Sequence, residues 1–197
     1  MSDKEVLQIL KETGAIIQNT HVELASGRHS DTYVLKDALY SYPRKVDAIC
    51  RSLAQRYCCN NIEVVAAPAI GGVVLSQGAA YHLCGISLRD VRAVYAEKTE
   101  HGFSFRRGYQ DILRGRTVLV VEDILTTGRS VAGVVAAARA AGAHVRAVVA
   151  LVNRGNVTTQ TLDVPEVCSL VDMPLQSWAP EECPLCAVGT PLERRSA

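Results

Sequence analysis

No run of apolar residues in this chain reaches the length of about eighteen that a membrane-spanning helix needs, because charge or glycine interrupts each one sooner. Charge of one sign is equally scarce. A formal net charge of +1 provides no broad field for nucleic acid, so any bound anion must be held by a local site. The chain also lacks a Gly-x-x-x-x-Gly-Lys-Ser/Thr phosphate loop and a Gly-x-Gly-x-x-Gly turn after a strand, which removes two common nucleotide-binding loops. There is no internal repeat and no low-complexity tract; only the stretch after Pro191 reads as loose. The first residues mix Asp3, Lys4, Glu5, Lys11 and Glu12 with apolar side chains, unlike the basic-then-apolar order of a secretion signal. A cytoplasmic location is expected. Cysteine is present seven times, but an odd count in a chain of this length reads as free thiols rather than a disulfide framework. The expected partners are small molecules and other copies of the chain, with no nucleic acid and no membrane.

What is present is an alternation of helix-like and strand-like segments. Val6, Leu7, Ile9 and Leu10 recur among charges and stop at Thr13-Gly14. Val46, Ile49, Leu53 and Ala54 share a helical face after Pro43. Buried strands are expected at 63–67, 91–96, 117–121 and 145–152, with helices at 72–83 and 130–141, the latter stopped by Gly142. Continuous Val and Ala in strands separated by helices indicates an α/β fold with a central parallel sheet covered on both faces. The polar stretch 97–109, carrying Gly102 and Gly108, reads as a long loop or hairpin of functional length. The whole chain, 1–197, is expected to form one domain, with 1–43 mainly a cap, 44–158 the core and 159–197 a C-terminal strand and tail.

Ligands of open parallel sheets bind beyond the carboxyl ends of the strands, which directs attention to the residues after Val118, Leu119, Val120 and Val121. There Glu122 and Asp123 are followed by Ile124, Leu125, Thr126, Thr127, Gly128, Arg129 and Ser130. Adjacent carboxylates accept hydrogen bonds from vicinal hydroxyls. A following helix N-terminus with exposed amides suits a phosphate, and Gly128 lets the backbone bend around it. The two halves match a sugar diol and its phosphate. Singly, each feature is as well explained by a capped helix and solvated acids; as one contiguous run they point to a ribose phosphate.

The run 118–130 closely resembles the phosphoribosyl-pyrophosphate signature of the type I phosphoribosyltransferases. Three further segments are similar to the orotate-specific members. Ser26-Gly27-Arg28-His29-Ser30, with Tyr33 after it, resembles their N-terminal Ser-Gly-x-x-Ser segment, and Ala69, Ile70, Gly71 and Gly72 resemble their pyrophosphate loop. Lys98 and His101 lie where they carry a mobile catalytic loop, and Arg154 where they carry a base-binding arginine. The resemblance implies the type I phosphoribosyltransferase fold with a small hood built largely from the N-terminal segment. It also implies transfer of a phosphoribosyl group to orotate, giving orotidine 5′-monophosphate and pyrophosphate.

In that reading Glu122, Asp123, Lys98 and His101 are catalytic, and residues 122–130, 69–72 and Lys98 hold phosphoribosyl pyrophosphate. Arg154, Thr126, Ser26 and Tyr33 hold orotate, Arg154 by a two-pronged bond to its carboxylate. Magnesium is expected on the diphosphate with no direct protein ligand, and a homodimer is expected, its loop reaching the neighbouring site. The chain departs from the family pattern at Ala25 and Gly71, where several members carry lysine, and in a loop poorer in basic residues, with Arg106 and Arg107 on its far side. The competing readings are a transferase for another base, such as a purine, and a non-catalytic nucleotide- or RNA-binding regulator on the same fold. Cys183-Pro184-Leu185-Cys186 has the spacing of half a zinc site, but completing it needs distant ligands, and ordinary thiols in a turn are expected. Trp178, Pro174 and Pro180 are expected to pin the tail to the body by packing.

Overall fold

A computed structural model describes residues 1–24 and 26–194. Helix α1 (Asp3–Glu12) starts where Ser2 and Glu5 cap one another, the Ser2 amide donating to Glu5 Oε2 at 2.6 Å, and buries Val6 and Leu10 one turn apart. A hairpin of β1 (Ile16–Glu23) and β2 (His29–Val34) follows, then the short α2 (Lys36–Tyr40) and α3 (Pro43–Tyr57). Pro43 occupies the first turn of α3, where its missing amide has no cost, and Val46, Ile49, Cys50, Leu53, Ala54 and Tyr57 form its buried stripe.

The core then runs β3 (Val64–Pro68), α4 (Gly71–Ser87), β4 (Arg92–Thr99), β5 (Gly102–Ser104), α5 (Tyr109–Leu113), β6 (Thr117–Leu125), α6 (Arg129–Ala140), β7 (His144–Asn153), α7 (Thr159–Leu162) and β8 (Val167–Asp172). A 3-10 turn at Pro180–Glu182, α8 (Pro184–Ala187) and β9 (Glu193–Arg194) complete the described chain. The main sheet has the order β5-β4-β3-β6-β7-β8, parallel except for the edge strand β5. Its central strands β3, β6 and β7 are buried on both faces because the pleat sends alternate side chains into two layers. Leu119 and Val121 pack with α1, α3 and α4, while Val118 and Val120 pack with α5 and α6. Each fully buried Val or Leu contributes roughly 1.5–3 kcal/mol, so a run apolar at every position is stable only with both faces covered.

From β3 the chain steps outward to β4, and from β6 it steps the other way to β7, so the strand order reverses between β3 and β6. The two crossover helices leave a crevice at that point, beyond the strands' carboxyl ends. A second sheet, β2-β1-β9, forms the hood: β1 and β2 are antiparallel, and β9 joins parallel to β1 through Val22 and Glu193.

Every segment expected to be helix or strand is one, with changed limits. Strand β6 continues through Leu125, so Glu122 and Asp123 lie within it rather than in the turn; α6 begins at Arg129, and α4 extends to Ser87. The 97–109 stretch is a hairpin at its start, pairing Lys98 with Phe103 and Thr99 with Gly102. Trp178 holds the tail through its backbone, exchanging hydrogen bonds of 2.9 Å with His29, while Pro174 and Pro180 are exposed.

Candidate active site

A cavity of about 380 Å3 fills the crevice at the strand-order reversal. Its floor is Glu122, Asp123 and Ile124 at the end of β6; one wall is Pro68, Ala69, Ile70 and Gly71 beyond β3; another is Thr126, Ser130 and Arg154. The hood closes it with Tyr33, Val34, Leu35, Lys36 and Asp37. The Ala69–Ile70 peptide bond is cis. A larger groove, about 570 Å3, lies between β5, α5 and α6, but its lining offers no carboxylate to hold a sugar.

Asp123 is 3% exposed and receives two side-chain contacts from outside its own strand. Lys36 Nζ lies 2.9 Å from its Oδ2, and the Tyr40 hydroxyl is 3.5 Å from the same oxygen while donating to the Gly71 carbonyl at 2.8 Å. Gly71 itself fits beneath, where a Cβ would overlap the Asp123 carboxylate. Burial alone would lower the Lys36 pKa, but the hydrogen bond and charge of Asp123, with Glu122 behind it, raise it overall. Burial also pushes the Tyr40 hydroxyl well up, with the two acids adding to the shift, so it stays a donor.

Glu122 is 7% exposed, and its carboxyl is pushed up to about 8, by burial first and by the neighbouring Asp123 charge second. Its folded pKa therefore lies above the usual 4.5. Below 4.5 both states bind the proton and the full stabilisation is present; as pH rises from there to about 8 the unfolded chain releases the proton and the folded one keeps it. Stability should therefore fall across that window by on the order of 1 kcal/mol per pH unit, and be flat above it. Urea titrations of wild type and Glu122→Gln between pH 6 and 9 check this: the variant should lose most of the slope, and identical slopes would refute it.

At the other end of the cavity, Gly128 has φ of 75° and precedes the first turn of α6, where the Arg129 amide donates to Thr127 Oγ1 at 3.4 Å. Arg154 is tied to the same turn. Its amide donates to Leu125 O at 2.9 Å and its Nε to Thr126 Oγ1 at 2.8 Å. The Arg154 guanidinium is half-buried, burial lowers its pKa, and it has no carboxylate partner among the described residues. A cation held this way in a cavity wall is arranged for an anionic ligand.

The phosphoribosyl transferase domain family matches residues 36–181. An orotate phosphoribosyltransferase of Chlorobaculum parvum is 38% identical over 193 residues, covering 98% of this chain and 95% of that protein. The chain belongs to the orotate phosphoribosyltransferase family. Solved structures agree in fold. The Aeropyrum pernix orotate phosphoribosyltransferase gives a TM-score of 0.68 at 23% identity, over 85% of this chain and 93% of that one. The Mycobacterium tuberculosis enzyme, solved with 5-phospho-α-D-ribosyl 1-diphosphate, gives 0.67 at 21% identity, over 87% of this chain and 96% of that one.

Of the residues singled out from sequence, the cavity brings together Glu122, Asp123, Ile124, Thr126, Ser130, Ala69, Ile70, Gly71, Arg154 and Tyr33. Leu125 is buried in the core instead, and Gly72 lies close to Ala67 and Pro68 behind the loop 69–71. Thr127, Gly128 and Arg129 form the turn before α6 without lining the cavity. Ser26 is exposed in the turn between β1 and β2, outside the lining, and Ala25 lies outside the described residues. Lys98 and His101 stand exposed on the β4–β5 hairpin, away from the lining and with no side-chain partner among the described residues. Arg106 and Arg107 face Glu97, Arg107 at 3.2 Å. The two side chains that contact Asp123 from the hood side, Lys36 and Tyr40, were not foreseen. The available signal was that Lys36 is the one lysine between Lys11 and Lys45, three positions after Tyr33 in the Ser-Gly-x-x-Ser region.

Proposed function

We propose that this protein transfers the 5-phosphoribosyl group of phosphoribosyl pyrophosphate to orotate, forming the bond from the ribose anomeric carbon to the base nitrogen as the bond to pyrophosphate breaks. The observation that carries the proposal is the half-buried, carboxylate-free Arg154 facing the Glu122–Asp123 pair across one cavity. Positive charge grows on the sugar as pyrophosphate leaves, and the two acids lie where that charge would form. The α6 turn from Thr126 to Ser130 would hold the 5′-phosphate, and Arg154 the carboxylate of orotate, with Tyr33 as the hood's contact.

Lys36 would supply positive charge at the pyrophosphate loop, since its ammonium stands about where a side chain at Gly71 would begin. That accounts for glycine at the position where several family members carry lysine. Lys98 and His101 would come over the pyrophosphate from the hairpin, serving the neighbouring site in a homodimer, as the family resemblance implies. Asp123 is already paired with Lys36 and Glu122 is held near neutrality, so the chain's oxygens suit a magnesium ion that arrives on the diphosphate with its waters. Bound there, magnesium would neutralise charge on the leaving group. All seven cysteines are free, which fits a reducing cytoplasm, and no helix among the described residues is long and apolar enough to cross a membrane.

Incubation with phosphoribosyl pyrophosphate, magnesium and each of orotate, uracil, adenine, hypoxanthine and guanine tests the substrate; fast product is expected from orotate alone. In Arg154→Ala the lost charge-assisted bond, about 2 kcal/mol, should raise the orotate KM roughly 30-fold with kcat changed much less. Unchanged orotate kinetics in that variant would remove the substrate assignment.

A further inference from the structure

The tail beyond β8 is held to the hood by side chains that the reaction does not use. From residue 174 to 194 a single side chain is buried, that of Cys183 at 3% exposure. The segment therefore has no apolar core of its own, and its regular structure amounts to a 3-10 turn, one turn of α8 and two residues of β9. Chains with so little to bury are usually closed by a disulfide or a metal. Around Cys183 stand Cys186, His21 of β1 and His29 of β2, with the donor atoms of all four within 4.8 Å of one another.

The spacings decide between a chance cluster and a coordination shell. A tetrahedral zinc with bonds of about 2.3 Å to sulfur and about 2.0–2.1 Å to nitrogen sets its ligand atoms about 3.3 Å apart for two nitrogens and about 3.6 Å for nitrogen and sulfur. Here His21 Nε2 and His29 Nδ1 are 3.0 Å apart. Cys183 Sγ and Cys186 Sγ are 3.5 and 3.6 Å from His21 Nε2, and Cys186 Sγ is 3.3 Å from His29 Nδ1. The outer contact also fits. His21 Nδ1 lies 2.8 Å from the Thr190 carbonyl, an acceptor only, so Nδ1 carries the hydrogen and Nε2 presents its lone pair to the cluster. Thiolate and imidazole exclude magnesium and calcium, which take oxygen, and four protein ligands leave no open position for a reacting group.

We propose that His21, His29, Cys183 and Cys186 bind one structural zinc ion, separate from any magnesium on the substrate. The ion would join positions 154 to 165 apart in sequence and staple the tail to the β1–β2 hairpin. Strand β2 leads from His29 at the metal to Tyr33 and Lys36 at the cavity, so the staple would hold the hood in register over the substrates.

The test uses the full-length chain, without a metal-binding tag, purified under reducing conditions from zinc-supplemented medium. Elemental analysis should find about one zinc per chain in wild type and in Cys59→Ser, an exposed cysteine outside the cluster, and less than about a tenth of that in Cys186→Ser. A strong chelator should lower the wild-type Tm by several degrees and leave that of Cys186→Ser unchanged. Because Cys186→Ser could fail to fold, cobalt exchanged into wild type gives a second readout: intense tetrahedral bands with a thiolate charge-transfer shoulder are expected. Wild type free of metal after zinc incubation, a Cys183–Cys186 disulfide in its place, retention of zinc by folded Cys186→Ser, or a weak octahedral cobalt spectrum would each overturn the proposal. Catalytic turnover is not the readout, so its failure and that of the orotate assignment are separable.

Discussion

Gly71→Ala should abolish useful binding of phosphoribosyl pyrophosphate while leaving the fold intact. Gly71 begins α4, and its φ lies outside the left-handed region, so the backbone accepts alanine and helix propensity favours it by up to about 1 kcal/mol. The added methyl, however, would overlap the Asp123 carboxylate and crowd Lys36 Nζ, 2.8 Å from the Cβ position. Asp123 cannot simply swing aside, being buried and held by Lys36 and Tyr40. Either β6 or the 69–71 loop must shift by about an ångström, and a misplacement of that size costs on the order of 100-fold in rate. Calorimetric titration with phosphoribosyl pyrophosphate should show affinity lost by about that factor, with the Tm within roughly 4 °C of wild type. Wild-type affinity in this variant would mean that the sugar does not sit against Asp123.

The contrast between Gly71 and Lys36 shows what the sequence reveals unaided. The β6 run, the Thr-Thr-Gly turn and Arg154 after β7 are legible because each is local: a strand apolar at every position, a turn chemistry, a cation at the same sheet edge. The Lys36–Asp123 pair spans 87 positions and exists only because the hood folds across the crevice. No periodicity announces such a contact. His21 and His29 are hidden for a related reason. They are eight residues apart on two strands of a hairpin, wider than the typical short spacing of paired metal ligands, and they meet only when β1 and β2 pair. Cys183 and Cys186 show their half of the cluster because one turn of helix is a local spacing. Strand β9 escapes notice altogether, since two residues carry no alternation to read.

Asp123→Asn should lower kcat/KM by roughly 100-fold or more, the scale on which removing one preorganised electrostatic contact to a developing charge acts. Its effect on pH dependence is more telling. In wild type, anionic Asp123 is the second reason, after burial, that Glu122 holds its proton up to about 8, so kcat/KM should rise with pH towards that value as the second anion forms beneath the sugar. With asparagine at 123 the repulsion is gone while Lys36 remains alongside, no longer neutralised. Glu122 should then ionise at lower pH and recover part of the lost stabilisation, moving the rising limb of the profile downwards. The double variant Asp123→Asn/Glu122→Gln should lose that limb and fall further than either single change. Parallel profiles displaced only in height would show that the two carboxyls do not share one electrostatic site, and the pairing of acid and cation at the sugar would have to be reassigned.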